Sequence, residues 1–250
     1  MTFMISRLLG SIRRKGLWNT LALARKNIAY ELRWYVDRRF DRVHGTDTSD
    51  RIELANLDIA GGNRDQGIYY EPTSTALFGH MMSNVQSTLP CQDFVFIDYG
   101  SGKGRTLLMA SDYPFKAIIG VEFSRELHLT AEKNIALYRG KKQLCNDLRV
   151  VHADASVFDP PPSNLLVYFY NPFLKDVMTK VLENLDAVCR NNGTKLALIY
   201  FNPLSSDVVE SSGLFQRRQE IVLPRDYSRE QQRKCFVYFS WADGPGAVVA

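Results

Sequence analysis

From Ser11 to about Arg42, apolar residues recur every three or four positions, at Leu17, Leu21, Ala24, Ile28, Leu32 and Tyr35. This is the helical period. The opposite surface of such a helix carries Arg13, Arg14, Lys15, Arg25, Lys26, Arg33, Arg38 and Arg39. The pattern predicts an amphipathic helix docked on a main domain with its charges in water. A basic face also suits phosphate and anionic lipid, so a substrate-binding helix or peripheral membrane contact stays open. His44 to Gln66 is polar, punctuated by Gly61-Gly62, and reads as a connecting segment with little regular structure. Pro72, Thr73 and Ser74 offer a start signal for a helix through Leu77, Phe78, Met81 and Met82 that ends before Pro90.

Downstream the pattern changes to short apolar runs separated by helix-length intervals. The runs are Phe94–Ile97, Ala117–Val121, Leu148–Val151, Leu165–Tyr170 and Lys195–Phe201. Continuous apolar strands alternating with helices predict a parallel sheet covered on both faces. Two further strand-like runs, Gln219–Leu223 and Cys235–Trp241, have only a polar loop between them and predict an antiparallel C-terminal hairpin. The expected fold is α/β: a doubly wound, mostly parallel, seven-stranded sheet with that hairpin and an N-terminal helical extension. Residues 1–66 are expected to form the extension and connecting segment, and residues 67–250 the main domain.

A chain of 250 residues can bury one sizeable core plus a helical appendage. The net charge of +4 argues only weakly for an acidic partner. Cys91, Cys145, Cys189 and Cys235 stand singly, and none of the four histidines is at ligand spacing from another. No metal site or disulfide framework is expected, and the thiols read as small buried residues of a reducing compartment. The first ten residues lack a secretory pattern, and no stretch reaches the ~18 apolar residues of a membrane span, so the reading is cytoplasmic.

The chemistry concentrates after Phe94–Ile97, which runs into Asp98-Tyr99-Gly100-Ser101-Gly102-Lys103-Gly104-Arg105 and then a helical pattern from Thr106. Strand, glycine turn and helix put backbone N–H groups and a positive helix end at the carboxyl edge of the sheet, where doubly wound folds bind ligands. Glu122, at the end of the next strand and roughly 20 residues on, could take ribose hydroxyls. A dinucleotide fingerprint would want a third glycine where Arg105 stands.

The segment FIDYGSGKGRTLL resembles the first motif of class I (seven-strand, Rossmann-like) S-adenosylmethionine-dependent methyltransferases. GVEFS (Gly120 to Ser124), HADAS (His152 to Ser156) and YFYNPF (Tyr168 to Phe173) resemble the three that follow. Upstream, Tyr70-Glu71-Pro72-Thr73, with the later Asn171-x-Phe173, is similar to the non-SET protein-lysine methyltransferases. The resemblance implies S-adenosyl-L-methionine as cofactor and S-adenosyl-L-homocysteine as product. It implies cofactor contacts from Tyr70, Thr73, Asp98, Gly100, Ser101, Gly102, Gly104, Glu122, Phe123, Asp154, Ala155 and Asn171. It puts Asn171, Phe173 and Tyr70 at the transfer site, with Tyr168 and Tyr170 as further aromatic candidates.

Base-directed N-methyltransferases usually show two prolines after the Asn or Asp, whereas Asn171-Pro172-Phe173 has one. A protein nitrogen such as a lysine amine is the first expectation for the acceptor. A nucleic-acid base or a small molecule is the alternative, and a module that holds the cofactor without turnover is the non-enzyme reading. A second strand end, Tyr200-Phe201-Asn202-Pro203, echoes the first and could add a substrate wall.

Overall fold

The computed structural model describes residues 16, 18–19, 35–36, 38–49, 71–224 and 233–242. Most of the expected N-terminal helix lies outside these residues; of it, 18–19, 35–36 and 38–44 are helical. The chain divides into two compact units, Met1–Phe40 and Asp41–Ala250. The second contains the sheet.

Seven strands form this sheet: β1 (Phe94–Tyr99), β2 (Ala117–Glu122), β3 (Leu148–His152), β4 (Asn164–Tyr170), β5 (Leu196–Phe201), β6 (Arg217–Glu220) and β7 (Cys235–Phe239). Their order is β3-β2-β1-β4-β5-β7-β6. The first five are parallel, and β7 runs antiparallel between β5 and β6. Helices are α1 (Thr75–Gln86), α2 (Arg105–Ala110), α3 (Arg125–Leu137), α4 (Lys175–Asn192) and α5 (Ser206–Ser211). The expected seven-stranded, mostly parallel sheet with an antiparallel C-terminal pair is the one observed.

Alternation along each strand sorts side chains between the faces. Val95, Ile97 and Tyr99 of β1, with Ala117, Ile119 and Val121 of β2, pack in one cluster with Val177, Met178, Val181, Leu182 and Leu185 of α4. On the other face Phe78 of α1 meets the rings of Phe96 and Tyr168 edge-on. Strands buried on both sides read as unbroken apolar runs, which is why β1, β2, β4 and β5 were legible. The four cysteines are all buried.

The edge strand is where the outcome departs from expectation, for β6 occupies Arg217–Glu220 and not Gln219–Leu223. Its register pairs Arg217 with Phe239 and Glu220 with Phe236. The Arg217 and Arg218 guanidinium groups lie over the rings of Phe239 and Phe236, at 4.0 and 4.7 Å from their centroids. Charged side chains blunt a sheet edge and use aromatic faces as partners, so a search for apolar runs slides past them.

From β1 the chain winds outward to β2 and β3, then returns to β4 beside β1 and winds the other way. The reversal leaves a crevice beyond the carboxyl ends of β1 and β4, the place where open α/β sheets receive ligands.

Candidate functional site

A cleft partly open to solvent, with a cavity volume of about 90 Å³, occupies this crevice. Its floor is the bend after β1. Gly100, Gly102 and Gly104 all have positive φ, at 79°, 53° and 81°. A Cβ on Gly100 would meet Pro172 Cβ at 3.1 Å, so the bend and the turn after β4 close together only because glycine stands there. Gly120 of β2 is under greater pressure: a Cβ would come within 2.6 Å of Ser101 Oγ.

Two buried carboxylates face the cleft from neighbouring strand ends. Glu122 is 2% exposed; its Oε2 accepts the Gly102 N–H at 2.7 Å and its Oε1 the Ser124 N–H at 2.9 Å. Burial pushes its carboxyl up to about 7, against the pull of those backbone donors. Asp98 is raised further, to about 8, by burial and by the charge of Glu122, with a hydrogen bond from Thr106 opposing. Ser101 Oγ is buried with no hydrogen-bond partner among the described residues.

The opposite wall comes from the segment before α1 and from the end of β4, which Arg233 backs from the stretch before β7. Thr73 Oγ1 and Tyr168 OH lie 2.8 Å apart. Glu71 and Arg233 pair at 3.0 Å, their side chains 10% and 11% exposed. Arg233 Nη1 donates to Tyr170 OH at 2.5 Å, and the guanidinium lies 5.6 Å from that ring's centroid. Asn171 holds φ 42° ahead of Pro172, and Asn202 repeats this at the end of β5 with φ 52°. Left-handed backbone is strained for a side-chain-bearing residue, and such strain concentrates at ligand sites.

Of the residues singled out from sequence, Thr73, Asp98, Gly100, Ser101, Gly102, Glu122, Phe123 and Asn171 come together around the cleft, as do Tyr168 and Tyr170. Gly104 packs beneath, its hypothetical Cβ 3.1 Å from Ala131 Cβ of α3. Tyr70 lies outside the described residues. Three others sit elsewhere. Phe173 packs edge-on against Phe169 and Tyr99, on the α4 face of the sheet. Asp154 Oδ1 accepts from Ser156 N and Oγ, both at 2.8 Å, in a turn beyond β3, and Ala155 joins the α4-face cluster.

Sequence reasoning missed four lining or supporting groups: Glu71 and Arg233, joined across 162 positions, Arg105, and the segment Asp41–Ser49. Arg105 is 1% exposed, lines the cleft, and donates from Nη1 to Ser49 Oγ at 3.1 Å and Thr48 Oγ1 at 3.2 Å. Lys103 pairs with Asp47 at 2.8 Å. Asn134 of α3 ties the two stretches together, accepting from Asp47 N and donating to Asp47 O and Lys103 O. For Arg105 the departure from a third glycine was the available signal. For the others only the fold supplies it.

Among the described residues no group of three His, Cys, Asp or Glu could hold a metal ion, and no helix is long and apolar enough to cross a membrane. No protein-family model matches the chain, and no curated protein matches it. Solved structures similar to it include a SAM-dependent methyltransferase from Leishmania major, 12% identical over 65% of this chain and 70% of that one, with a TM-score of 0.47. The mitomycin 7-O-methyltransferase is 12% identical over 66% and 54% of the two chains, with a TM-score of 0.46. A ribosomal protein L11 methylase from Lactobacillus delbrueckii subsp. bulgaricus is 15% identical over 66% and 76%, with a TM-score of 0.39.

Proposed function

We propose that this chain is an S-adenosylmethionine-dependent methyltransferase whose acceptor is a protein nitrogen such as a lysine amine. The observation that carries the reading is the glycine bend with two buried carboxylates, Asp98 and Glu122, facing one cleft at the switch point of the sheet.

The residues fit the cofactor group by group. The Glu122 carboxylate has about four lone-pair sites and accepts the backbone N–H groups of Ser124, Gly102 and Phe123, which leaves one for a ribose hydroxyl. Asp98 offers a carboxylate to an ammonium, and the Ser101 hydroxyl is a buried donor in need of an acceptor. Phe123 and Leu127 give apolar wall to a planar base, and Arg105 is a cation for a carboxylate. When bound, S-adenosylmethionine supplies an electrophilic methyl on a sulfonium. The chain's own task is then alignment of the acceptor.

An amine at pKa ~10.4 is neutral in about one molecule per thousand at neutral pH, a handicap of ~4 kcal/mol that desolvation reduces. Tyr168 and Tyr170 exclude water on the acceptor side while tolerating a cation at their faces. Asn171, fixed by its left-handed turn, can accept an N–H of the acceptor through its amide oxygen and so aim the lone pair at the methyl.

The test is incubation of cell extract with methyl-labelled cofactor and the purified chain. Label in the protein fraction, at lysine on hydrolysis, is expected. Label confined to nucleic acid or small molecules would overturn the acceptor, and no label in any fraction would overturn the enzyme.

A further inference from the structure

The segment Asp41–Ser49 lies far upstream of the glycine bend in sequence, yet it forms the bend's outer support. Asp41 is its organising charge. Its Oδ1 accepts the hydroxyls of Thr46 and Thr48, both at 2.7 Å, and its Oδ2 accepts Thr48 N at 2.9 Å and Ser49 Oγ at 2.5 Å. Burial raises this carboxyl, but the donors of Ser49, Thr48 and Thr46 outweigh it and hold the group below its ordinary range, ionised.

The direction of these bonds matters. A carboxylate only accepts, so the protons of Thr48 Oγ1 and Ser49 Oγ point at Asp41, and the hydroxyl lone pairs face away. Those lone pairs take the N–H groups of Arg105 Nη1. Thr48 and Ser49 are 0% and 4% exposed, so water cannot substitute readily. An anionic carboxylate, two oriented hydroxyls and a guanidinium in the cleft wall thus form a chain with fixed polarity. The anchoring of Asp47 by Asn134 and Lys103 holds the hydroxyls in register with α2.

We propose that Asp41, Thr48 and Ser49 are positioning residues that aim Arg105 at the carboxylate end of the cofactor's amino-acid portion. The proposal rests on the methyltransferase reading and deepens it: the cofactor site begins at Asp41, well before the sheet.

The experiment compares two ligands by calorimetry, S-adenosylhomocysteine and methylthioadenosine, which keeps the adenosine and thioether but lacks the amino-acid portion. In the double variant Thr48→Val/Ser49→Ala, affinity for S-adenosylhomocysteine is expected to fall about tenfold, the worth of a hydrogen bond to a charged group. Affinity for methylthioadenosine should stay within twofold, which also reports that the cleft is folded. Asp41→Asn should reproduce the pattern. Arg105→Met should lose at least as much for S-adenosylhomocysteine, and adding the hydroxyl changes to it should lose no more, because the residues act as one unit. Equal weakening of both ligands, or losses that add to that of Arg105→Met, would overturn the proposal. Wild-type protein that binds neither ligand would instead overturn the methyltransferase reading.

Discussion

Replacing Glu122 by Gln separates stability from ligand recognition at one position. The carboxylate is fully buried, with a backbone hydrogen bond from Phe123, and its two oxygens separately accept the Gly102 and Ser124 N–H groups. An amide can accept only one of them and must turn its NH₂ toward the other, which alone would cost about 1–3 kcal/mol. The neutral carboxyl of the wild type at low pH keeps an acceptor lone pair on its hydroxyl oxygen, so the wild type should be the more stable of the two near pH 5. Burial raises the Glu122 carboxyl from its ordinary 4.5 to about 7. The folded state therefore holds a proton that the unfolded state has released across that window, and wild-type stability falls as pH rises from 4.5 toward 7, then levels. The amide has no proton to lose. Between pH 5 and pH 8 the difference between the proteins should move by roughly 2–3 kcal/mol in favour of Glu122→Gln, at about 1.36 kcal/mol per pH unit. Ligand binding should go the other way. Loss of the charged acceptor for a ribose hydroxyl removes about 1.5–3 kcal/mol, or roughly 10- to 150-fold in affinity for S-adenosylhomocysteine. Urea denaturation at both pH values and calorimetry on the same samples measure the two effects. A variant that binds the ligand as tightly as wild type would refute the placement of Glu122 at the ribose. A stability difference that does not change with pH would refute the burial argument.

Asp98 makes a further prediction about pH. With its carboxyl raised to about 8, the free protein holds a proton there at neutral pH, and a ligand ammonium must displace it. Affinity for S-adenosylhomocysteine should rise from pH 6 to pH 8.5 with proton release from Asp98 and Glu122, read by calorimetry in buffers of different ionisation enthalpy; Asp98→Asn should remove the Asp98 share of the rise and leave that of Glu122. Gly120→Ala forces a methyl to within 2.6 Å of Ser101 Oγ, with Leu107 Cδ1 at 2.7 Å, so it should destabilise by about 1–3 kcal/mol in urea and weaken ligand binding together. Asn171→Gly keeps the left-handed turn while removing the amide, and should abolish methyl transfer with cofactor affinity within about threefold of wild type, in contrast to Asn171→Ala, which also strains the backbone.

The bend, its strand and Glu122 were legible because they obey local rules: an apolar run, glycines where φ is positive, an acid one strand later. Asn171 was legible for a related reason, since an Asn before a proline at a strand end signals a turn. Phe173 was not, because direction matters more than spacing there. The left-handed Asn171 turns the chain toward α4, and the ring lands between Phe169 and Tyr99 instead of in the cleft. Asp154 shows the same limit: its carboxylate serves its own turn at Ser156. The Glu71–Arg233 pair and the support given by Asp41–Ser49 depend on segments that only the folded sheet brings together, and no periodicity or local spacing encodes such contacts. Polar composition even pointed away from the latter, since a run of Thr, Asp and Ser reads as loop when the partner that gives it a role, Arg105, is more than 50 residues distant.

The central claim is that the glycine bend with Asp98 and Glu122 is a seat for an adenosyl sulfonium compound. Calorimetric titration of ligand-stripped protein with S-adenosylmethionine and S-adenosylhomocysteine tests it most directly. Saturable binding of both at one site per chain, weakened together in Glu122→Gln, is the predicted result. No heat and no thermal stabilisation with either compound, from protein that is demonstrably folded, would contradict it.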